Sequence, residues 1–432
     1  MQVLPQERAT TYPVFPFSKR FSVTVTLALS AVLLMLGGCA SPQKGKPPSK
    51  VAESPSAPGS AAVAVPAAPS VPITGSTGKR SDFLRVATFS DLPGWAEDDL
   101  RQTWPALLAS CDALGKRPEW TAVCAATLAV NPSDERSVRA FYESQFVPHQ
   151  LRNLDGSLQG TVTGYYEPLL KGSRTRSGPF QTALYRAPDD LLTIDLGALY
   201  PELRNMRLRG RIAGNKVVPY PSRAELMQQG LLNGKELLWV DDPVEAFFLQ
   251  VQGSGRVFIE STRETVRVAY ADQNGHPYRS IGRYLVDKGE LTLDQASMQG
   301  IKGWVAANPG RRQELLNTNP SFVFFREEKI TDPARGPKGS LGVPLTPQRS
   351  IAIDPQFISL GAPVFISTTY PNAAQPLRRL MLAQDTGGAI RNPVRADLFW
   401  GFGADAGELA GKMKQPGQMW VLLPRTLALQ PD

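Results

Sequence analysis

The sequence predicts a mainly β fold with helices, in the α+β class, from three observations. Short strand-like segments occur near both ends of the body of the chain. Between them, from Gly172 to about Asp272, short strands are broken by proline, glycine and charged turns. Helical segments are grouped before the first strands and after this central stretch. Strands at both ends around a central insertion indicate one discontinuous barrel domain.

The first half of the body begins with helices. Apolar residues at helical spacing predict a helix over Asp98–Leu114, which Gly115 ends. A second helix opens at Asn131-Pro132 and runs to about Phe146, and a strand follows at Gly160–Leu170.

The second half of the body returns to helices and then to strands. The predicted helices are Ser280–Lys288, Thr292–Ala307 with a Thr-x-x-Gln start, Arg311–Asn317 and, after a glycine-rich turn, Ala404–Met413. The predicted strands are Phe322–Phe325, Ser350–Ile353, Val364–Ser367, Leu380–Ala383 and Trp420–Leu423.

The N-terminus is typical of a lipoprotein signal peptide covering residues 1–38. Lys19 and Arg20 precede an apolar run, Phe21–Leu36, that is short for a membrane span. Leu36-Gly37-Gly38-Cys39 then predicts lipidation of Cys39 and cleavage before it. A plain secretory signal with a chance cysteine is the alternative. Ala40, in place of the aspartate that favours inner-membrane retention in Gram-negative bacteria, predicts an outer-membrane lipoprotein facing the periplasm.

Residues 39–80 are predicted to form the lipid anchor and a disordered tether. Pro, Ala and Ser dominate this stretch, and such a composition cannot bury enough surface to fold. The leader carries a net charge of +2 and the tether +4, out of +8 for the whole chain, which leaves +2 for residues 81–432. This weak charge on the body argues against nucleic acid as its partner.

Two cysteines, Cys111 and Cys124, remain besides Cys39. Both fall in predicted neighbouring helices. The periplasm permits disulfides, so a bridge and a pair of buried free thiols both remain open.

Several kinds of chemistry lack the residues that they need. The chain contains two histidines, His149 and His276, which nearly excludes a His-based zinc site. Gly253-Ser254-Gly255 lacks the spacing of a nucleophile elbow. Gly401–Gly407 has one residue too many for a dinucleotide fingerprint, and no βαβ unit follows it. The sequence therefore predicts neither a metal nor a cofactor.

Two aspartates are the candidates for catalysis. Asp385 ends the apolar run Leu380–Ala383, Asp397 begins the run Leu398–Trp400, and a glycine-rich loop joins them. A carboxyl group at a strand end beside bulky aromatics should have a raised pKa, as a general acid requires. The alternative is a pair of turn aspartates that accept backbone N–H groups.

Motifs in a fixed order give this chain a family resemblance. They are TGYYEP at Thr163–Pro168, VQGSG at Val251–Gly255, NGHPYRSIG at Asn274–Gly282, PSFVFF at Pro320–Phe325, IDPQFISLGAPV at Ile353–Val364, AQDTGGAI at Ala383–Ile390 and ADLFWG at Ala396–Gly401. Together they resemble the membrane-bound lytic murein transglycosylase A family, from about Thr161 to Pro424. Motifs in this number and order are specific, whereas any single one is not.

The resemblance implies a double-psi β-barrel of six strands with a smaller inserted β domain and a groove between them. On this basis, residues 81–167 and 273–432 form the discontinuous catalytic domain, and residues 168–272 form the insertion.

The resemblance also implies the chemistry. The enzyme would cleave the β-1,4 bond between N-acetylmuramic acid and N-acetylglucosamine in peptidoglycan, leaving 1,6-anhydro ends, without a cofactor. Asp397 would act as acid and then as base, and Asp385 would adjust its pKa and position. Asp354 and Trp400 are expected to be structural. The residues expected to contact substrate are Tyr165, Tyr166, Gln252, Ser254, Gly387 and Gly388.

Two alternatives are a glycan-binding module without catalysis and a hydrolase that uses Asp385 and Asp397 as a pair. The expected partners are peptidoglycan strands, the outer membrane through the lipid anchor, and cell-wall synthesis or division complexes.

Overall fold

The computed structural model describes residues 82–203, 206–371 and 373–428. Seventeen strands lie in these residues: β1 Leu84–Val86, β2 Phe146–Leu151, β3 Gly160–Glu167, β4 Leu169–Ser173, β5 Thr182–Tyr185, β6 Leu192–Thr193, β7 Arg209–Ala213, β8 Lys216–Pro219, β9 Glu236–Val240, β10 Ser254–Ile259, β11 Glu264–Gln273, β12 Val323–Lys329, β13 Ser350–Ile353, β14 Pro363–Thr369, β15 Pro376–Thr386, β16 Arg395–Phe402 and β17 Lys414–Pro424.

The same residues contain nine α-helices: α1 Trp104–Leu114, α2 Pro118–Ala126, α3 Glu135–Gln145, α4 Arg223–Gln228, α5 Pro243–Gln252, α6 Ile281–Asp287, α7 Met298–Ala307, α8 Arg312–Asn317 and α9 Ala404–Lys412. None of these helices is both long enough and apolar enough to cross a membrane. The predicted signal peptide, the lipidation site Cys39 and the tether lie outside the described residues.

Six strands close into a barrel. Their order is β17-β14-β15-β13-β16-β3, and β3 pairs again with β17 to complete the ring. The pairs β13–β15 and β16–β3 are parallel, and the other pairs are antiparallel. Strands β2 and β1 extend the sheet beyond β17. The predicted mainly β fold with helices and a barrel is confirmed.

Alternation along the barrel strands separates two apolar layers. In β15, Met381 and Ala383 belong to a cluster with residues from all six strands, which is the barrel interior. Their neighbours Leu380 and Leu382 pack outside with residues of helices α1 to α3. Because both faces of β15 are covered here, this stretch reads as a continuous apolar run.

A second, six-stranded sheet has the order β12-β11-β10-β4-β9-β5, and a small sheet has the order β6-β7-β8. Helix α5 packs on the larger sheet. Its first turn is capped by Asp242, and Gly253 ends it in a left-handed conformation with φ of 81°. The predicted insertion boundaries, residues 168–272, stay a prediction; strand β12, further along the chain, pairs with β11.

Three helix starts differ from the sequence prediction. The helix predicted to open at Asn131-Pro132 begins at Glu135, where the side chain of Asp134 caps it by accepting the N–H of Arg136. The helix predicted over Thr292–Ala307 begins at Met298, because Ser297 caps it by accepting the N–H of Gly300. Gln295 does accept the N–H of Thr292, but this bond closes only a turn. The helix predicted from Asp98 begins at Trp104, after a 3₁₀ turn. Pro105 has no N–H to donate to the preceding turn, so the α-helical hydrogen bonds cannot start earlier.

Cys111 of α1 and Cys124 of α2 form a disulfide, with their Cα atoms 5.5 Å apart. Of the two states left open by the sequence, the structure therefore contains the bridge. It holds the turn between the two helices closed.

Candidate active site

A groove of about 1630 Å³ runs between the barrel and the six-stranded sheet. Its barrel wall contains Asp385, Asp397 and the loop after Asp385. The opposite wall comes from the end of α5 and from strands β10 to β12, and includes Gln252, Ser254 and Tyr270. This volume is larger than that of an ordinary small-molecule pocket, so the groove suits an extended ligand.

Strand register places the two aspartates at the same level of the barrel. Ala352 of β13 is the cross-strand partner of Asp385 on one side and of Asp397 on the other. Residues opposite each other on paired strands project to the same face of the sheet. The side chain of Ala352 is small and also lines the groove, so it leaves space between the two carboxyl groups.

A β-bulge directs Asp385 to this face. The pairing of β13 with β15 shifts by one residue between Ile351 and Ala352, and Gln384 is the extra residue. Without the bulge, simple alternation along β15 would place Asp385 on the interior side with Ala383. Gln384 is instead held outside the barrel, where its amide donates to Ala106 O at 2.7 Å and to Ser110 Oγ at 2.9 Å.

One carboxyl oxygen of Asp397 accepts a hydrogen bond, and the other has no donor among the residues that the structure describes. Thr163 on β3 donates its hydroxyl to Asp397 Oδ1 at 2.6 Å. Arg395 in turn donates to Thr163 Oγ1 at 2.8 Å, which fixes the direction of the Thr163 proton. The arrangement leaves Oδ2 of Asp397 available to a ligand in the groove.

The pKa of Asp397 is raised from 3.8 to about 6. Burial is the largest cause, because it penalises the charged form. The Thr163 hydrogen bond and the charge of Arg395 lower the pKa, and the charge of Asp385 raises it. A carboxyl group with this pKa can carry a proton at mildly acidic pH and release it near neutrality.

Asp385 is held by more donors than Asp397. Its Oδ1 accepts Ser340 N at 2.9 Å, Ser340 Oγ at 3.0 Å and Thr386 N at 2.9 Å. Its Oδ2 accepts the hydroxyl of Tyr165 at 3.0 Å. Burial still raises its pKa, against these hydrogen bonds. Burial also raises the pKa of Tyr165, with help from the charges of Asp385 and Asp397, so this hydroxyl keeps its proton.

Most of the predicted substrate-contacting residues meet at this groove. Tyr165, Gln252, Ser254, Gly387 and Gly388 all line it, together with both aspartates. The Tyr165 ring also packs on Phe399, with ring centroids 5.3 Å apart. Ser254 is largely buried and donates to Glu167 Oε1 at 3.3 Å.

Tyr166 lies elsewhere. Its side chain is 7% exposed and belongs to the barrel interior, where it contacts Gly407. Its backbone N–H donates to Gln252 Oε1 at 3.1 Å and so orients that side chain. Alternation along β3 explains the difference, since Tyr165 and Thr163 share the outer face while Tyr166 points inward.

Asp354 and Trp400, expected to be structural, are both buried. Asp354 accepts the N–H of Gln356 at 3.1 Å and of Asn392 at 3.0 Å. The second bond ties down the loop between the two aspartates, where Asn392 has a φ of 93°. Trp400 belongs to the barrel interior.

Three residues around the aspartates were not singled out from the sequence: Thr163 and Ser340, which donate to them, and Arg395, which donates to Thr163. Thr163 lies in the TGYYEP motif, and alternation with Tyr165 was the signal that could have found it. Arg395 lies two residues before Asp397, and therefore on the same face of β16. Ser340 comes from a distant loop, and no local pattern marks it. Within residues 82–203, 206–371 and 373–428, no group of three or more His, Cys, Asp or Glu side chains could hold a metal ion.

Comparison with known proteins identifies the relatives of this chain. Residues 161–326 match the family model described as the MltA specific insert domain, and residues 349–423 match the 3D domain. Membrane-bound lytic murein transglycosylase A of Escherichia coli strain K12 is 33% identical over 296 residues, which is 67% of this chain and 72% of that protein.

Two solved structures extend this likeness to the fold. MltA from Neisseria gonorrhoeae is 39% identical with a TM-score of 0.71, and the match covers 85% of this chain and 99% of that one. MltA of Escherichia coli with bound chitohexaose is 27% identical with a TM-score of 0.62, over 80% of this chain and 96% of that one. The chain therefore belongs to the membrane-bound lytic murein transglycosylase A family.

Proposed function

We propose that this protein is a lytic transglycosylase that cleaves the β-1,4 bond between N-acetylmuramic acid and N-acetylglucosamine in peptidoglycan. The observation that carries the proposal is the carboxyl group of Asp397, half-buried in the groove wall with a pKa of about 6 and Oδ2 available. Membership of the family supports the reaction class. The Escherichia coli relative was solved with bound chitohexaose, which supports a glycan strand as the ligand of this groove.

Asp397 acts twice in the proposed reaction. Its protonated carboxyl group donates to the glycosidic oxygen, and the bond from C1 of N-acetylmuramic acid to that oxygen breaks. The C6 hydroxyl of the same sugar attacks C1, and the carboxylate of Asp397 takes the hydroxyl proton. The products are a free 4-hydroxyl on the leaving chain and a 1,6-anhydro end. Because the nucleophile already belongs to the substrate, much of the entropic barrier is removed.

Asp385 is proposed to tune and position Asp397, and not to react itself. Three donors occupy its Oδ1 and the Tyr165 hydroxyl occupies Oδ2. A carboxylate that is held in this way is a poor nucleophile and a poor base for water. This argues against the hydrolase that would use both aspartates.

The substrate contacts are proposed to come from both walls. Tyr165, Gly387 and Gly388 would contact sugars from the barrel side, and Gln252 and Ser254 from the opposite side. Tyr166 would contribute through its backbone, by orienting Gln252. The division into a double-psi barrel domain and an inserted domain remains part of the proposal, supported by the separate hydrogen bonding of the two large sheets.

Digestion of purified peptidoglycan, followed by mass analysis, tests the reaction. We expect muropeptides with anhydro ends, one water lighter than hydrolysis products. Asp397→Asn should lower the rate by at least about 10²-fold, the low end for general acid–base catalysis, with glycan binding retained. Asp112→Asn, at an exposed position, is the matched control. Reducing ends would indicate a hydrolase, and the absence of soluble product from the wild-type protein would indicate a binding module.

The protein is proposed to be anchored to the outer membrane by lipid on Cys39 and to face the periplasm. The signal-peptide pattern supports the anchor, and the membrane-bound relatives support association with a membrane. Complexes for cell-wall synthesis or division are its proposed protein partners. Cys39→Ala should abolish metabolic labelling with a fatty acid. Labelling that persists in this variant would contradict the assignment.

A further inference from the structure

Glu167 is a buried carboxylate that the proposed reaction does not use. Its side chain is inaccessible to solvent. Its Oε1 accepts Nε of Arg267 at 2.5 Å, and its Oε2 accepts Nε of Arg256 at 2.8 Å. The hydroxyl of Ser254 also donates to Oε1, at 3.3 Å. One carboxylate at the end of a barrel strand therefore holds three side chains of the second, six-stranded sheet, and we call these four residues the Glu167 cluster.

The cluster lies where the chain crosses between the barrel and the second sheet. The described residues contain two such connections, from β3 to β4 through Pro168 and from β12 to β13 through residues 330–349. Glu167 is the last residue of β3, so the first connection begins there. Each arginine of the cluster donates to a carbonyl oxygen of the second connection, Pro333 O at 2.9 Å and Arg335 O at 2.8 Å. The cluster therefore joins both connections.

The cluster also contacts the barrel strand that carries Asp397. Phe402, at the end of β16, is the cross-strand partner of Glu167. The guanidinium of Arg256 lies over the Phe402 ring, 3.9 Å from its centroid. A largely buried cation over an aromatic face is attracted to it. This contact and the ion pairs together hold the second sheet against β16.

Strand β3 holds both walls of the groove. Alternation places Thr163, Tyr165 and Glu167 on the same face of this strand. The first donates to Asp397 and the second donates to Asp385. The third holds the opposite wall through the cluster. The position of the opposite wall relative to the two aspartates is therefore fixed along one short stretch of backbone.

The carboxylate of Glu167 separates two like charges. Arg256 and Arg267 are cross-strand partners on β10 and β11, and both side chains are largely buried. Like charges directly opposite each other on paired strands repel, and a buried charge without a partner is costly. Loss of the carboxylate would therefore displace the strands that carry them. Strand β10 begins at Ser254, two residues after Gln252 ends α5, so both proposed glycan contacts of this wall would move.

We infer that Glu167 is a positioning residue for the glycan strand, because it holds Gln252 and Ser254 at the separation from Asp397 that the strand requires. Glu167 does not touch the ligand itself, since its side chain is inaccessible. The inference rests on the proposed function for the identity of the ligand. The alternative is a purely structural role, in which the cluster stabilises the fold but does not affect how a folded molecule binds glycan.

Steady-state cleavage of soluble glycan strands by the full-length protein separates the two roles. Arg267→Gln leaves Glu167 paired with Arg256, so no buried charge loses its last partner and the variant should fold. We expect KM to rise about ten-fold with kcat kept within about two-fold, the loss of one or two hydrogen bonds to a bound ligand. Glu167→Gln leaves two adjacent cations without a carboxylate and should raise KM further. Partial unfolding would instead lower kcat at unchanged KM, because it only reduces the number of active molecules.

Binding of chitohexaose, measured by calorimetry, reports the same change without turnover. Its affinity should fall about ten-fold in Arg267→Gln, as KM rises. The matched control is Arg174→Gln, which removes an arginine that pairs with Glu327 at 2.9 Å on an exposed part of the protein, away from the cluster. This control should change neither KM nor the affinity.

The outcomes separate the inference from the proposed function. Unchanged KM and chitohexaose affinity in both cluster variants would overturn the inference, and a fall in kcat at unchanged KM would overturn it in favour of the structural role. The pH–rate profile should stay in place, because Thr163, Arg395 and Asp385, and not the cluster, act on the pKa of Asp397. Reducing ends from the wild-type protein would contradict the proposed reaction and leave the comparison of KM values intact.

Discussion

Replacement of Asp397 by asparagine should stabilise the protein at neutral pH while removing its activity. The wild-type side chain is half-buried in the groove wall, and burial raises its pKa from 3.8 to about 6. Asparagine has the same shape, and its oxygen can accept the hydroxyl of Thr163 as the carboxylate does. It carries no charge, so it avoids the cost of a buried ion.

The magnitude follows from the pKa. One pKa unit corresponds to about 1.4 kcal/mol, so the rise to about 6 makes the ionised side chain cost the folded state about 3 kcal/mol. A carboxyl group with a higher pKa in the folded state binds its proton more tightly there than in the unfolded chain. Its stabilising effect is therefore complete below pH 3.8 and is lost as the pH rises through about 6. Asparagine does not titrate, so its contribution to the free energy of unfolding does not change over this pH range.

Urea unfolding of both proteins at pH values from below 4 to 8 measures the effect. The free energy of unfolding of Asp397→Asn should exceed that of the wild type by about 3 kcal/mol near pH 8, with the difference closing toward pH 4. Asp112→Asn, at an exposed position, supplies the control for loss of a carboxyl group. A difference between wild type and Asp397→Asn that does not change with pH would refute the reasoning, because it would mean that the pKa of Asp397 is not raised by folding.

Three further predictions address the neighbours of this residue and the disulfide. Asp385→Asn should lower peptidoglycan cleavage less than Asp397→Asn does, and should move the alkaline limb of the pH–rate profile to lower pH, because the charge of Asp385 raises the pKa of Asp397. An unmoved profile would contradict electrostatic tuning. Thr163→Val should move the same limb to higher pH, because the hydrogen bond from Thr163 lowers the pKa of Asp397 in the wild type and valine cannot form it. Thr163→Ser keeps the hydroxyl and should keep the wild-type profile. Replacement of Cys111 and Cys124 by serine should lower the free energy of unfolding by about 2–4 kcal/mol, measured in urea, and thiol labelling of the denatured, unreduced wild type should find neither residue free.

Local patterns were sufficient for elements whose causes are local. The run Leu380–Ala383 reads as a strand because both its faces are apolar, and it forms part of β15. The helix predicted from Ala404 was confirmed because a glycine-rich turn precedes it. The helix predicted from Thr292 was wrong at its start, because two capping patterns lie close together there and the helix begins after the second, at Ser297.

The sequence by itself determined the fold class and the family, and it selected the two aspartates as candidates, because alternation, motif order and strand ends are properties of neighbouring residues. Only the tertiary structure decided how these aspartates differ. The bulge at Gln384 turns Asp385 toward the groove, and Ser340, 45 residues away in the chain, occupies its oxygen. Asp397 receives one donor, from Thr163 on a strand 234 residues away. The strand-end pattern predicts that burial raises the pKa of both carboxyl groups, but the hydrogen bonds that distinguish the two come from distant segments, and no local pattern contains them.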